Sequence, residues 1–174
     1  MTGSFDDLVG AMDGALVVVT TAVDDQLGGC LVGFHSQCSI EPPRYALWLS
    51  RANHTYRLAL FAEHLAIHVL GAGDASVARH WGTASDDETD KFADVGWSAG
   101  PGGVPLLDAC PARVVAHKRT VIDDGSDHVC FIVEPLEVHG APSGPSLRVS
   151  DLGSVEPGHA AADRPVPDVH AGPG

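Results

Sequence analysis

The chain has 174 residues, a length that suits one domain with a hydrophobic core and is short for two. Acidic residues outnumber basic residues by 23 to 10, which gives a formal net charge of −13. This charge argues against nucleic acid or an anionic membrane surface as a partner, because binding to either depends on clustered lysine and arginine.

The cysteines and the N-terminus indicate a cytoplasmic protein. The four cysteines form no close Cys-x-x-Cys pair, which is typical of reduced thiols. The first residues lack the basic segment and apolar core of a secretory signal. No apolar run reaches the roughly 20 residues that a transmembrane helix needs. We therefore expect a cytoplasmic location and no contact with a membrane.

The first predicted elements form a β-hairpin. Residues 15–23 are β-branched and apolar without interruption, which predicts a buried strand. Residues 24–29 contain turn formers, and the apolar run resumes over 30–33. The prolines at 42–43 end the next segment, since proline lacks a ladder donor, and residues 45–50 are typical of a further strand.

Two short helices flank the next predicted strand. Asn53 is a favourable N-cap for a helix over residues 54–62, where apolar residues recur near helical spacing. Residues 65–70 predict a strand. Asp74 is a good N-cap and predicts a short helix over 75–80.

The second half of the chain predicts a long excursion followed by long strands. Residues 82–103 are acidic and glycine-rich, which indicates a long, partly ordered segment that crosses the surface of the domain. Residues 111–121 and 128–138 predict two strands joined by a turn at 123–127. A last short strand is expected over 146–149.

These elements predict a single mainly β domain. At least seven strands and two short helices favour a closed or nearly closed barrel, because closure removes exposed strand edges. We assign residues 1–152 to this domain. Residues 153–174 are rich in proline, glycine and alanine with few apolar anchors, and we expect a flexible tail there.

Six short segments share their order and spacing with one known family. They are Gly-Phe-His-Ser-Gln-Cys-Ser-Ile-Glu-Pro-Pro at 33–43, Leu-Ser-Arg-Ala-Asn-His-Thr-Tyr at 49–56, the strand at 65–70, Asp-Lys-Phe at 90–92 followed by Trp97, Gly-Val-Pro-Leu-Leu-Asp at 103–108, and Ser-Asp-His-Val at 126–129. Together they resemble the flavin reductase-like, FMN-binding split-barrel family over about residues 5–138. The resemblance implies a split barrel that binds FMN, or less often FAD, at the interface of a homodimer.

The resemblance also implies a function. Members reduce a flavin with NADH or NADPH and pass the electrons to a diffusing flavin or a partner oxygenase, as the reductase component of a two-component monooxygenase does. This chain departs from the family at His35 and Gln37, where many relatives have an aromatic residue and serine. The alternatives are therefore a pyridoxamine-phosphate-oxidase-like or deazaflavin-using oxidoreductase, and a non-catalytic flavin-binding protein.

A candidate phosphate site lies within residues 42–62, which contain three of the eight arginines and no acid. Arginine binds phosphate bidentately, and helix N-termini attract anions. The candidate residues are Ser50, Arg51, Asn53, His54 and Thr55. The alternative is that these arginines balance surface acids elsewhere.

Further candidates come from the other motifs. Ser36, Gln37, Cys38 and Ser39 are candidate flavin-binding residues, the alternative being an ordinary strand facing water. By resemblance, Lys91 is added to the cofactor-binding set, and His128 contacts the nicotinamide or orients its amide. We also predict His35 as a catalytic residue, because a titratable ring beside a flavin tunes its environment near neutral pH.

Metal binding is the competing interpretation of the histidines and cysteines. His64 and His68 have a helical ligand spacing, but they span a predicted change from helix to strand, and Cys30 and Cys38 lack ligand spacing. We therefore expect no metal site. A serine hydrolase is disfavoured because the sequence has no Gly-x-Ser-x-Gly motif.

Overall fold

The computed structural model describes residues 3–83, 90–141 and 144–153, and the described residues form nine strands and three α-helices. The strands are β1 (Val17–Val23), β2 (Gln26–Val32), β3 (His35–Ser39), β4 (Arg44–Ser50), β5 (His64–Val69), β6 (Trp97–Ala99), β7 (Pro105–Leu107), β8 (Arg113–Ile122) and β9 (His128–His139). The helices are α1 (Phe5–Met12), α2 (His54–Phe61) and α3 (Ala75–Thr83).

Seven strands form one curled antiparallel sheet, a half-barrel, in the order β2-β1-β5-β8-β9-β4-β3. The strands β6 and β7 form a separate antiparallel pair. The predicted mainly β architecture is therefore confirmed. The edge strands of the large sheet are β2 and β3, and β3 contributes residues to the candidate site described below.

Strand β1 explains why residues 15–23 are apolar without alternation. Val17 and Val19 pack into the core inside the half-barrel. Val18 packs into a second core with Trp81 of α3 and Leu147. Because successive side chains point to opposite faces, a strand buried on both sides needs apolar residues at every position.

The predicted turn at 24–29 is too long. The turn consists of Asp24 and Asp25, with Asp24 at a φ of 52°, and β2 already begins at Gln26. A Cβ at Gly28 would lie 3.2 Å from Cα of Thr55, and one at Gly29 would lie 2.3 Å from Cζ3 of Trp81. These glycines thus provide room for α2 and α3 on β2, rather than forming a turn.

The helix after Asn53 is confirmed. The Asn53 side chain accepts a hydrogen bond of 2.9 Å from the amide of Thr55, which satisfies an amide in the first turn of α2. Helix α3 begins at Ala75 as expected and continues to Thr83, beyond the predicted end at residue 80.

Helix α1 was not predicted, although its start carries a recognisable signal. Ser4 and Asp7 form a capping box, in which the Ser4 hydroxyl accepts from the amide of Asp7 and the Asp7 carboxylate accepts from the amide of Ser4. None of the helix residues is buried. Its apolar residues Phe5, Leu8 and Met12 are 64% or more exposed.

The predicted strand at 146–149 is wrong. Isolated bridges join Gly71 to Ser146 and Ala15 to Arg148, and a 3₁₀ turn follows at Val149–Leu152. The chain turns here because both the amide and the hydroxyl of Ser150 donate to the Asp13 carboxylate. Residues 84–89 of the predicted excursion and most of the predicted tail lie outside the described residues.

The structure also describes the state of the cysteines and the lengths of the helices. All four cysteines are free thiols, of which only Cys38 is exposed. Among the described residues, the longest helices are far too short to cross a membrane.

Candidate functional site

The candidate site is centred on a corner where β4 and β9 meet. Ser50, the last residue of β4, is the direct cross-strand partner of His128, the first residue of β9. The ring of Phe34 lies edge-on to His128, with centroids 5.1 Å apart, and is 56% exposed. An apolar ring, an imidazole and a hydroxyl-bearing residue therefore share one partly exposed surface. Phe34 was missed from the sequence because nothing local marks it as a neighbour of residue 128.

One nitrogen of His128 is fixed by the protein. Nδ1 lies 3.0 Å from Oδ1 of Asp127, and the hydrogen bond from this ring lowers the pKa of the Asp127 carboxyl. An ionised carboxylate only accepts hydrogen bonds, so Nδ1 carries the hydrogen. No described residue bonds Nε2, which leaves this nitrogen to meet a ligand.

Arg51 binds the turn that leads into β9. Its Nε donates to the carbonyl oxygen of Ser126 at 2.6 Å, and its Nη2 is hydrogen-bonded to the Asp123 carboxylate. Its backbone amide donates to the carbonyl oxygen of Asp127 at 2.9 Å. The role predicted for Arg51 at a phosphate remains untested, but its guanidinium already has an acidic partner.

In the folded chain, acidic side chains neutralise two of the three arginines in residues 42–62. Arg44 pairs with Glu134 of β9, and Arg51 pairs with Asp123. Glu134 belongs to β9, which lies beside β4, and Asp123 belongs to the turn that precedes β9, so acids from a distant part of the chain reach these arginines. The alternative interpretation, that arginines here balance surface acids, holds for both.

The N-terminus of α2 adjoins the corner. Asn53 and His54 are half-buried there, whereas Thr55 is fully buried where α2 crosses Gly28. The amide of Asn53 donates to the carbonyl oxygen of Ser50 at 3.0 Å, which joins the helix start to the end of β4. Asn53 and His54 are thus placed to meet an anion, and Thr55 is the candidate that this structure favours least.

Strand β3 supplies a polar edge. Ser36, Gln37 and Cys38 are exposed and Ser39 is half-exposed. The side chain of Gln37 donates to the carbonyl oxygen of Ser39 at 3.1 Å, and the register with β4 shifts between these two residues. Within the described residues β3 pairs with β4 alone, so its other edge presents backbone donors and acceptors.

The two parts of the site are far apart along β4. Ser36 pairs with Ala46 and Ser39 with Arg44, whereas the corner lies at Ser50. At about 3.3 Å per residue, the corner is roughly 13 Å from Ser36 and roughly 20 Å from Ser39. Only an elongated ligand contacts both parts at once.

His35 is hydrogen-bonded within the chain through both ring nitrogens. Nε2 lies 2.9 Å from the carbonyl oxygen of Ala15, and Nδ1 lies 2.6 Å from the hydroxyl of Tyr45. A carbonyl only accepts, so Nε2 donates and Nδ1 accepts the Tyr45 hydrogen. Burial lowers the pKa of His35, which favours this neutral form. Its placement is that of a structural residue, and a catalytic role remains untested.

Lys91 lies inside the fold. Its side chain is almost completely buried, and Nζ donates to the carbonyl oxygens of Gly29 at 3.3 Å and Trp81 at 3.4 Å. The residue therefore links β2 to α3. The prediction that Lys91 contacts a cofactor is untested, and these two hydrogen bonds join it to the backbone of its own chain.

The described residues contain no group of three or more histidine, cysteine or acidic side chains with the geometry to hold a metal ion. His64 lies beside His117, with ring centroids 5.6 Å apart. His68 is instead fully buried and hydrogen-bonded to Thr20.

The curled antiparallel half-barrel, with its polar edge strand beside a helix N-terminus and an imidazole, has the architecture expected of a split barrel. The flavin reductase like domain family matches residues 9–148. The chain belongs to this family, as its motifs indicated.

Individual proteins agree with this assignment. The chain is similar to SmoA, an FMN reductase (NADH) of Agrobacterium fabrum, with 32% identity over 136 residues, 76% of this chain and 74% of SmoA. It is 27% identical over 143 residues to the reductase component of a 4-nitrophenol 4-monooxygenase/4-nitrocatechol 2-monooxygenase of Rhodococcus opacus, covering 81% of this chain and 74% of that protein.

A solved structure confirms the fold. The NADH:FAD oxidoreductase SgcE6 of Streptomyces globisporus C-1027, in complex with NAD and FAD fragments, superposes with a TM-score of 0.71 and 21% identity, covering 87% of this chain and 93% of SgcE6. The predicted split barrel is confirmed, and a flavin reductase function is confirmed at the level of the family.

Proposed function

We propose that this protein is an NADH-dependent flavin reductase that binds FMN and serves as the reductase component for a flavin-dependent monooxygenase. The relatives support each part. SmoA is named as an FMN reductase using NADH, and the Rhodococcus opacus relative as a monooxygenase reductase component. The named use of FAD by SgcE6 keeps FAD as the alternative flavin.

The observation that carries the proposal is the open edge of β3 leading to the Ser50–His128 corner. FMN needs hydrogen-bond partners along the ring edge, an apolar contact for the ring and donors for the phosphate. Exposed Ser36 and Gln37, on the edge of β3 that pairs with no other strand among the described residues, fit the first need, and exposed Phe34 fits the second. The α2 N-terminus with Asn53 fits the third.

Each residue has a task in this assignment. FMN held at this site would supply the hydride-accepting chemistry. The β3 edge orients the ring, and the α2 N-terminus holds the phosphate end. The unbonded Nε2 of His128 accepts a hydrogen bond from the carboxamide of the nicotinamide, while Asp127 fixes the ring tautomer.

We propose a homodimer as the functional unit. Isolated helices of eight residues are marginal in water, and α1 buries none of its residues against this chain. Its apolar side chains Phe5, Leu8, Val9 and Met12 follow the i, i+3, i+4, i+7 spacing of one helix face. A second chain covering this face explains both observations.

We propose the cytoplasm as the location of the protein. The four free thiols support this proposal, because the cytoplasm keeps thiols reduced.

The test is anaerobic titration of the purified protein, reconstituted with FMN, by NADH and NADPH. The proposal predicts bleaching of the flavin absorbance by NADH and multiple turnovers with added FMN. A protein that binds FMN but reacts with neither nucleotide is a flavin-binding protein, and this result rejects the proposal. Reduction of FAD in strong preference to FMN would correct the flavin.

A paired substitution tests the location of the ring. Gln37→Glu replaces the amide on the β3 edge by a carboxylate, and we expect FMN to bind roughly tenfold or more weakly, equivalent to about 1.4 kcal/mol, because a carboxylate cannot donate to the acceptor atoms of the ring edge. Ser98→Glu adds the same charge to β6 at another exposed strand position and is the matched control. Equal FMN affinity in the two variants would place the ring elsewhere.

A further inference from the structure

Arg51, which lies outside the turn between β8 and β9, is hydrogen-bonded to this turn. Arg51 contributes three hydrogen bonds to it, through its guanidinium to Asp123 and Ser126 and through its backbone amide to Asp127. Arg51 belongs to the segment between β4 and α2, so these bonds cross between two loops that are more than 70 residues apart in sequence.

The turn is also ordered from within. The Asp123 carboxylate accepts the amide of Gly125 at 2.9 Å, and the Asp124 carboxylate accepts the amide of Ser126 at 3.0 Å. The Ser126 hydroxyl donates to the carbonyl oxygen of His128 at 2.8 Å. Hydrogen bonds from Ser126 lower the pKa of Asp124, so this acid is ionised at neutral pH. A displacement of Ser126 is therefore passed directly to residue 128.

Arg51 suits this task better than it suits a phosphate. A guanidinium presents several donors in a fixed plane, which lets it bond a carboxylate and a carbonyl together. Asp123 meanwhile neutralises its charge, which lowers its attraction for an anion such as the FMN phosphate. The resemblance implied that Arg51 lies near the phosphate. Its hydrogen bonds are instead to Asp123, Ser126 and Asp127, the turn that precedes His128.

We propose that Arg51 is a positioning residue for nicotinamide binding: it anchors the 123–127 turn on the β4 side of the corner and thereby holds His128 in place. The inference rests on the proposed function, in which His128 contacts the nicotinamide. Under this assignment Arg51 contributes to the KM for NADH and contributes little to flavin affinity.

The test compares Arg51→Lys and Asp123→Asn with the wild type in steady-state kinetics and in FMN binding. Lysine keeps the charge but cannot reproduce the fixed fork of donors. We expect the KM for NADH to rise about tenfold in Arg51→Lys, with kcat at saturating NADH and the Kd for FMN within about twofold of wild type. Asp123→Asn changes the KM in the same direction, and the double variant is no worse than Arg51→Lys alone.

A matched control separates positioning from general loss of stability. Arg113 also donates to backbone carbonyl oxygens, those of Leu107 at the end of β7 and of Cys110 in the segment that follows, but it lies at the opposite end of β8 from the turn. Arg113→Lys is expected to leave the KM for NADH unchanged.

Hydrogen exchange gives a readout that does not depend on activity. The amides of residues 125–128 are expected to exchange faster in Arg51→Lys than in wild type, and at the wild-type rate in Arg113→Lys. If the Kd for FMN rises in Arg51→Lys while the KM for NADH is unchanged, Arg51 is a flavin ligand and the inference is wrong. Unchanged exchange in the turn also overturns it.

Failure of the proposed function is recognised separately. A wild-type protein that does not oxidise NADH rejects the reductase assignment and, with it, the nicotinamide role of Arg51. If Arg51→Lys does not fold, Asp123→Asn decides the question through the same three measurements.

Discussion

Gly29 lies directly against the indole of Trp81: a Cβ at position 29 would be 2.3 Å from Cζ3 and 2.8 Å from Cε3 of that ring. Trp81 is itself 2% exposed and packs against Phe92, with ring centroids 5.0 Å apart. The ring therefore has no room to withdraw. This contact joins α3 to β2 and sets the position of the second core.

Gly29→Ala is accordingly expected to destabilise the fold. The added methyl group forces a shift of Trp81 or of β2, and overpacking of this kind costs about 1–3 kcal/mol. Urea denaturation measures the change. Gly73→Ala is the control, since nothing lies within 4 Å of a Cβ there. Equal stability of the two variants would show that Trp81 repacks freely.

His68 makes the stability depend on pH. Its Nε2 lies 3.1 Å from the Thr20 hydroxyl, which itself donates to the carbonyl oxygen of Pro105 at 2.6 Å. Burial lowers the pKa of His68 from 6.5 to about 4. Between these values the unfolded chain binds a proton that the folded chain does not. The free energy of unfolding should therefore fall as the pH drops from about 6.5 to about 4, by up to about 3 kcal/mol.

The measurement is a series of urea unfolding curves from pH 7.5 to pH 4, with His68→Gln for comparison. Glutamine retains a donor for Thr20 but does not titrate, so part of the pH dependence should disappear. The lowered pKa of His35 contributes in the same direction and is retained in this variant. Identical slopes for wild type and His68→Gln would show that His68 is not the group responsible.

Tyr45→Phe tests whether His35 is structural. The substitution removes the hydroxyl that donates to Nδ1 of His35 and leaves that half-buried nitrogen without a donor. We expect a loss of about 1–3 kcal/mol in stability with an unchanged rate of flavin reduction. A lower reduction rate with unchanged stability would instead restore His35 as a residue that acts on the flavin.

The exposed face of α1 leads to a prediction on oligomeric state. Leu8→Glu places a charge on the apolar face of this helix, and we expect it to shift the dimer towards monomer at micromolar concentration, because burying an unpaired charge is costly. Light scattering coupled to size-exclusion chromatography measures the mass. Asp6→Asn changes an exposed polar residue of the same helix and should leave the dimer intact. A dimer as tight in Leu8→Glu as in wild type would place the interface elsewhere.

The sequence predicted most of the strands because their apolar runs are long and their boundaries carry clear signals. Asn53 marked the start of α2, and the acidic turn at 123–127 marked the β8–β9 hairpin, because capping and turn formation are local effects. Gly28 and Gly29 were misinterpreted for the opposite reason. Their role depends on Trp81 and Thr55, which reach β2 only through the tertiary fold.

The candidate site shows the same limit. The segment at 42–62 is free of acids in sequence, yet the pairing of β4 with β9 brings Glu134 to Arg44 and the adjoining turn brings Asp123 to Arg51. His35 was predicted from its residue type, and only the folded chain shows that Ala15 and Tyr45 take both of its nitrogens. Residue type and spacing identified the family, whereas the bonding of each candidate followed from contacts distant in sequence.

Strand β1 has a consequence for how the protein unfolds. The side chains on one of its faces pack in the core inside the half-barrel, and those on the other face pack in the core beneath α3. The strand therefore contributes to both cores. Any opening that displaces β1 therefore removes Val17 and Val19 from one core and Val18 from the other at the same time. We expect a single cooperative unfolding transition, in which the amides of β1 and its neighbour β5 exchange only through global unfolding.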